Sequence, residues 1–162
     1  MAELTKLEDK LGEVLGLAKA GRDATKSVAG MLDDEGLVAT LRTRSEEAAV
    51  TARRCEEVAA ARCGRKTAII EKARETTGEA KEMMQTYLGP DAEGLDGLEF
   101  LSMAEAGEVC HVEILGAMAR NAGDRDVIEL VEWALPIQER HLATVREGGV
   151  SLASEEDPQE PA

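Results

Sequence analysis

The sequence predicts an all-α protein folded as an antiparallel helical bundle, and three observations carry that reading. Ala, Leu, Glu, Lys and Arg dominate the chain, which is the composition of packed helices. Aromatic residues make up only 2% of it, too few for a β-sandwich or for a module that stacks nucleic-acid bases. Apolar and small residues recur every three or four positions along most of the chain, and no stretch carries the two-residue period of a strand. At 162 residues the chain has the size of one domain with a substantial core.

Each element has its own pattern. A first helix is expected from Glu3 to Leu32, with Leu4, Leu7, Leu11, Val14, Ala18, Gly21, Thr25, Val28 and Leu32 in one stripe. Asp33-Asp34-Glu35-Gly36 reads as a turn. A second helix begins near Leu37 and carries Val38, Leu41, Ser45, Ala48, Ala52, Cys55 and Ala59 on one face. A third pattern runs through Ile69, Ala73, Thr76, Ala80, Met83 and Tyr87, and Gly64 either separates it from the second or lies within one long helix. Gly89-Pro90 stops it, because Gly suits a helix C-cap and Pro cannot continue a helix. After a loop over 91–97, a fourth helix is expected from Leu98 to Ala122, closed at Gly123, with Asp124 as the cap of the fifth. The fifth carries Val127, Val131, Ala134, Gln138, His141 and Val145; Pro136 should kink it and Gly148-Gly149 should end it. The expected organisation is therefore a bundle over residues 1–148 and an acidic, disordered tail over 149–162.

Charge and motif content exclude several functions. A net charge of −14 disfavours DNA, RNA and anionic lipid, all polyanions. The N-terminus has no basic segment followed by an apolar run, and nothing approaches the roughly 20 apolar residues of a membrane span. Three scattered cysteines without a CxxC pattern read as reduced thiols of a cytoplasmic protein. No small-molecule substrate can be identified.

The chemistry concentrates in the last two helices. The fourth shows a stripe of Leu101, Ala104, Glu108, His111, Leu115, Met118 and Ala122, small or apolar apart from Glu108-x-x-His111. Residues three apart share a helix face, with Cβ atoms roughly 5–6 Å apart. Burying such groups unpartnered costs on the order of 2–7 kcal/mol for a neutral polar group and more for a charge. They must be satisfied by each other, by a neighbouring helix or by a metal ion. The fifth helix repeats the oddity as Gln138-x-x-His141. Glu108 and Gln138 each lie about 15 residues, roughly 22 Å, from the turn at Gly123. Both pairs should therefore meet at one level of the core.

This layout resembles the ferritin-like superfamily, and within it the small bacterial ferritin-like stress-protein group. The resemblance is carried by GEVCHVEILGAMARNAGD and QERHLATV, and more weakly by LVATLRTRSEEAAVTARR. It implies a ferritin-like antiparallel four-helix bundle with an extra or broken middle helix, binding iron or manganese in its core, and a stress-related role. In that family two helices give one Glu each and two give Glu-x-x-His. Carried over, Glu108 and His111 match one Glu-x-x-His, and His141 matches the His of the other, with Gln138 where its Glu is expected. Glu139 lies beside Gln138, Glu47 matches a bridging Glu, and Glu113 would serve in a His-x-Glu variant. The first helix presents Gly21 where a carboxylate is expected. Against this stands a non-catalytic scaffold or binding module whose polar residues form a hydrogen-bonded core cluster without metal. A third reading is a homodimer that completes the site through the small-residue faces of Ala18, Gly21, Ala48 and Ala52.

Overall fold

The computed structural model describes residues 2–160, which contain five helices and no strand. The first, α1 (Lys6–Ala29), starts on a capping box: the Thr5 hydroxyl accepts from the Glu8 amide, and the Glu8 carboxylate accepts from the Thr5 amide. It is shorter at both ends than the apolar stripe predicts. Leu4 and Leu32 pack against the core from outside the helix. The second, α2 (Glu35–Ala60), is capped by Asp34, which accepts from the Leu37 amide at 2.7 Å. Gly64 separates two helices: it takes the left-handed conformation (φ 72°) that glycine adopts at least cost, and α3 (Lys66–Tyr87) follows.

Helix α4 (Gly94–Ala122) begins four residues before Leu98, because Glu93 and Asp96 form a reciprocal cap ahead of the apolar stripe. Gly123 ends it with φ 67°, and Asp124 caps α5 (Arg125–Ala153) through the Val127 amide at 3.2 Å. Helix α5 is one continuous element through Pro136, which lies on its exposed side. Nor does it stop at Gly148-Gly149. A Cβ at residue 148 would lie 3.0 Å from Leu37 Cδ2, so the glycine there allows α2 and α5 to approach and does not terminate the helix. The expected tail therefore begins after Ala153, and its last two residues, 161 and 162, lie outside the described ones.

Four helices enclose the core. α1 and α2 form one antiparallel hairpin, α4 and α5 another, and the hairpins meet through α1 against α4 and α2 against α5. The antiparallel α2–α5 seam is tied at one end by Arg62, which grips the Asp124 carboxylate at 2.5 and 2.9 Å. It is tied further along by Arg54, stacked 4.0 Å above the Trp133 ring. α3 lies outside this square and runs parallel to α1, so that Gly12 meets Ile69 and Lys72 while Gly16 meets Ala73 and Thr76. It is the crossover that carries the chain from one hairpin to the other. The small residues set aside for a homodimer, Ala18, Gly21, Ala48 and Ala52, are buried inside this chain and are not open to a second copy. No described helix is long and apolar enough to cross a membrane.

The apolar core is not continuous. One cluster gathers Leu11, Leu15, Cys55, Ile69, Leu115 and Val127, and the other gathers Val28, Leu41, Leu98, Leu101 and Val145. On all four core helices a polar or glycine position lies between them: Gly21 and Thr25, Ser45, Glu105 and Glu108, Gln138 and His141. A single polar layer crosses the middle of the bundle.

The close α1–α3 approach gives a direct test. A Cβ at residue 16 would lie 2.5 Å from the Ala73 carbonyl oxygen, whereas at Gly78 it would meet nothing. Gly16→Ala is expected to lower the melting temperature despite its better helix propensity. Gly78→Ala should raise stability by about 1 kcal/mol, roughly 2–4 °C. Thermal denaturation of both variants checks the pair.

Candidate functional site

The polar layer is built from three helices and closed by the fourth. On α4 the buried face runs through Leu98, Leu101, Glu105, Glu108, Val112, Leu115 and Ala119. It departs from the expected stripe by one position at alternate steps. Glu105 and Val112 turn inward, Ala104 and His111 sit at the edge, and Ala122 is exposed. Both stripes share Leu101, Glu108 and Leu115. Placing Val112 rather than His111 inside removes an imidazole from an apolar surrounding, so packing selects the second stripe.

Glu105 and Glu108 are therefore the buried pair of α4, both under a tenth exposed. Gln138 of α5 donates its Nε2 hydrogen to Glu105 Oε2. His141, one turn further on, is 3% exposed. Its Nε2 lies 2.8 Å from Glu47 Oε2 on α2, and its Nδ1 faces Glu105 Oε2 at 3.9 Å, beyond hydrogen-bond length. Glu47 is held in turn by Arg44 at 3.0 Å and Arg140 at 3.4 Å. Glu108 leans on the bare backbone of Gly21 in α1, where any Cβ would collide with its Oε1. No group among the described residues hydrogen-bonds its carboxyl, and its neighbouring charge is that of Glu105. Gly21, where the resemblance expects a carboxylate, instead makes room for one that arrives from α4.

Protonation follows from these surroundings. Burial pushes the Glu105 carboxyl up to about 7, against the pull of Gln138, Thr25 and Arg44. Burial, and then the Glu105 charge, push Glu108 well above the usual carboxylate range. Burial also holds the His141 imidazolium down, although Glu47 opposes it. Burial alone would raise Glu47, but hydrogen bonds from His141 and Arg44 outweigh it and keep Glu47 low and ionised. An ionised Glu47 requires a donor, which assigns the His141 proton to Nε2.

The sequence-derived ligands are thus divided. Glu47, Glu108 and His141 belong to the layer. His111 does not reach it: its side chain is 37% exposed and its Nδ1 faces Glu13 Oε2 at 3.4 Å and Lys10 Nζ at 3.5 Å on α1. Glu113 and Glu139 are exposed on the outer faces of α4 and α5. Gln138 is a hydrogen-bond partner of Glu105, one turn away from the Glu108 expected opposite it. Glu105 completes the layer, and the signal for it was the better apolar fit of Val112, Leu115 and Ala119 on its face.

The iron or manganese implied by the resemblance needs several of these atoms on one point. Glu47 and Glu105 instead approach opposite edges of the His141 ring, so an ion at either nitrogen would reach one carboxylate and not the other. Among the described residues, no three His, Cys, Asp or Glu side chains are grouped so as to hold a metal ion. As they stand, these residues do not fit the group. Comparison of the chain with protein-family models, curated proteins and solved structures returns no match.

Glu105 also sets a pH dependence. Its unfolded value is the ordinary 4.5, and its folded value is about 7. Between the two, the folded state holds a proton that the unfolded chain has released. Stability on this account falls as pH rises from about 4.5 through about 7, by on the order of 3 kcal/mol in total. Glu105→Gln keeps an acceptor for Gln138 and cannot ionise. The variant should match wild type near pH 4 and melt roughly 6–12 °C higher at pH 8, as calorimetry at the two pH values would show.

Proposed function

We propose that the chain is a ferritin-like bundle acting as a non-catalytic binding module, its core centre held by hydrogen bonds and retained protons in place of a metal ion. The topology supports the first part: two antiparallel hairpins, α1–α2 and α4–α5, are joined by one long crossover through α3. The observation that carries the second part is the orientation of His141. Its Nε2 is committed to Glu47, its Nδ1 faces Glu105, and Glu105 already accepts from Gln138. Gln138, Glu105, Glu47 and the His141 Nε2 each have a partner on another helix. The layer thereby fixes the register of α2, α4 and α5 without any ion.

One observation favours the competing reading, an iron or manganese centre on Glu105, Glu108 and His141. Glu105 and Glu108 lie one turn apart with both carboxyls raised by burial, a cost a cation would relieve. Elemental analysis of protein produced with iron and manganese in the medium separates the two. The metal-free reading expects sub-stoichiometric transition metal and a melting curve unmoved by chelator. A metal centre would instead give stoichiometric metal and, at a hundredfold excess over its dissociation constant, roughly 3 kcal/mol of stability that chelation removes.

A further inference from the structure

Glu108 has a second surface. Its carboxyl forms part of the wall of a cleft of about 430 Å³ between α1, α3 and α4, within the range of roughly 300–1,000 Å³ typical of small-molecule sites. The cleft follows α4 from His111 back to Phe100, about 16 Å of helix. Ala24, Met84, Phe100 and Met103 give it an apolar wall. Gly21 and Gly107 supply no side chain, which leaves the space open. Met83 and Met103 are more than half exposed at the mouth. Unbranched, polarisable side chains of this kind adapt to an occupant more readily than branched ones.

The charges around the cleft leave one vacancy. Lys81 and Asp23 at the rim pair with each other at 3.7 Å, and His111 at one end is engaged with Glu13. Glu108 is the remaining charged-type group, and it is the one without a partner. Glu108 lines the cleft and is 7% exposed. An anionic occupant would meet Glu108 and, behind it, Glu105. A wholly apolar occupant would leave the carboxyl unpartnered in a still drier place.

We propose that this cleft binds a small primary amine with an apolar body, its ammonium seated on the Glu108 carboxyl, which releases its proton to solvent as the charge pair forms, and its tail lying toward Met84 and Phe100. This rests on the metal-free reading of the layer, because a Glu108 that ligated a metal would not be free for an ammonium.

Octylamine, 1-octanol and octanoate, titrated into the full chain labelled with ¹³C at its methionine methyls, test the proposal. Methyls in the cleft should shift saturably with octylamine. Octanol should bind roughly ten- to hundredfold more weakly, the loss expected for one charge-assisted hydrogen bond, and octanoate more weakly still. Glu108→Gln should bind octylamine no better than octanol. Gly107→Leu, at a position where a Cβ meets nothing, should fill the cleft and abolish all three shifts while keeping the fold. Equal affinities for the three probes, an undiminished amine preference in Glu108→Gln, or binding by Gly107→Leu would each overturn the proposal. So would methyl shifts that track protein concentration without added amine, which would mean that a second copy fills the cleft. A preparation carrying stoichiometric metal defeats the metal-free reading; a metal-free preparation that ignores octylamine defeats this inference alone.

Discussion

The bundle depends on how it satisfies one polar layer between two apolar clusters. Glu105, Glu108, Gln138 and His141 occupy positions where leucines would pack, and each would be costly there without help. Help comes from three directions. Gln138 crosses from α5 to Glu105, Glu47 reaches from α2 to His141, and burial keeps protons on the two acids. Shift any of these helices by one turn and the donors lose their acceptors. The layer therefore fixes the alignment that the flanking leucines and alanines, which pack in several registers, specify less sharply.

Small residues make that alignment attainable. Gly21 lets the Glu108 carboxyl rest against α1, Gly148 lets α5 close on Leu37, and Gly12 and Gly16 bring α3 onto α1. Ala48 and Ala52 do the same for α2. With only one Phe, one Tyr and one Trp, the chain has few large side chains to fill gaps, so close backbone approach supplies the contact area. The polar layer and the small-residue seams are one design: tightly packed helices hold the acids out of water and hold their partners within reach. Where the seam opens, between α1, α3 and α4, Glu108 is the group left facing the gap.

Much of this was legible in the sequence. Five helical patterns, their order, the turn over 33–36 and the cap at Asp124 follow from periodicity and turn chemistry. Equal distance to Gly123 places a fourth-helix acid near the level of Gln138 and His141, but one turn off: Gln138 meets Glu105 and not the Glu108 that the spacing puts opposite it. What failed was on the scale of one helix turn. Leu101, Glu108 and Leu115 fit two stripes equally, and only the preference for Val112 over His111 inside the core selects the one that buries Glu105. Gly148 has the same sequence signature as a terminating glycine, and its packing against Leu37 becomes visible only once α2 and α5 are placed side by side. The engagement of Glu47 by His141 depends on a contact 94 residues apart in the chain, which no local pattern records.

Nitrogen NMR of the imidazole rings tests the central claim most directly, because the chain holds two histidines of contrasting exposure, His111 and His141. The account requires His141 to be neutral at pH 7, protonated at Nε2 and bare at Nδ1. It should stay neutral to lower pH than an ordinary histidine, and its signals should survive the addition of one equivalent of manganese(II). A His141 ring found as the imidazolium, or signals broadened away by stoichiometric manganese, would contradict it.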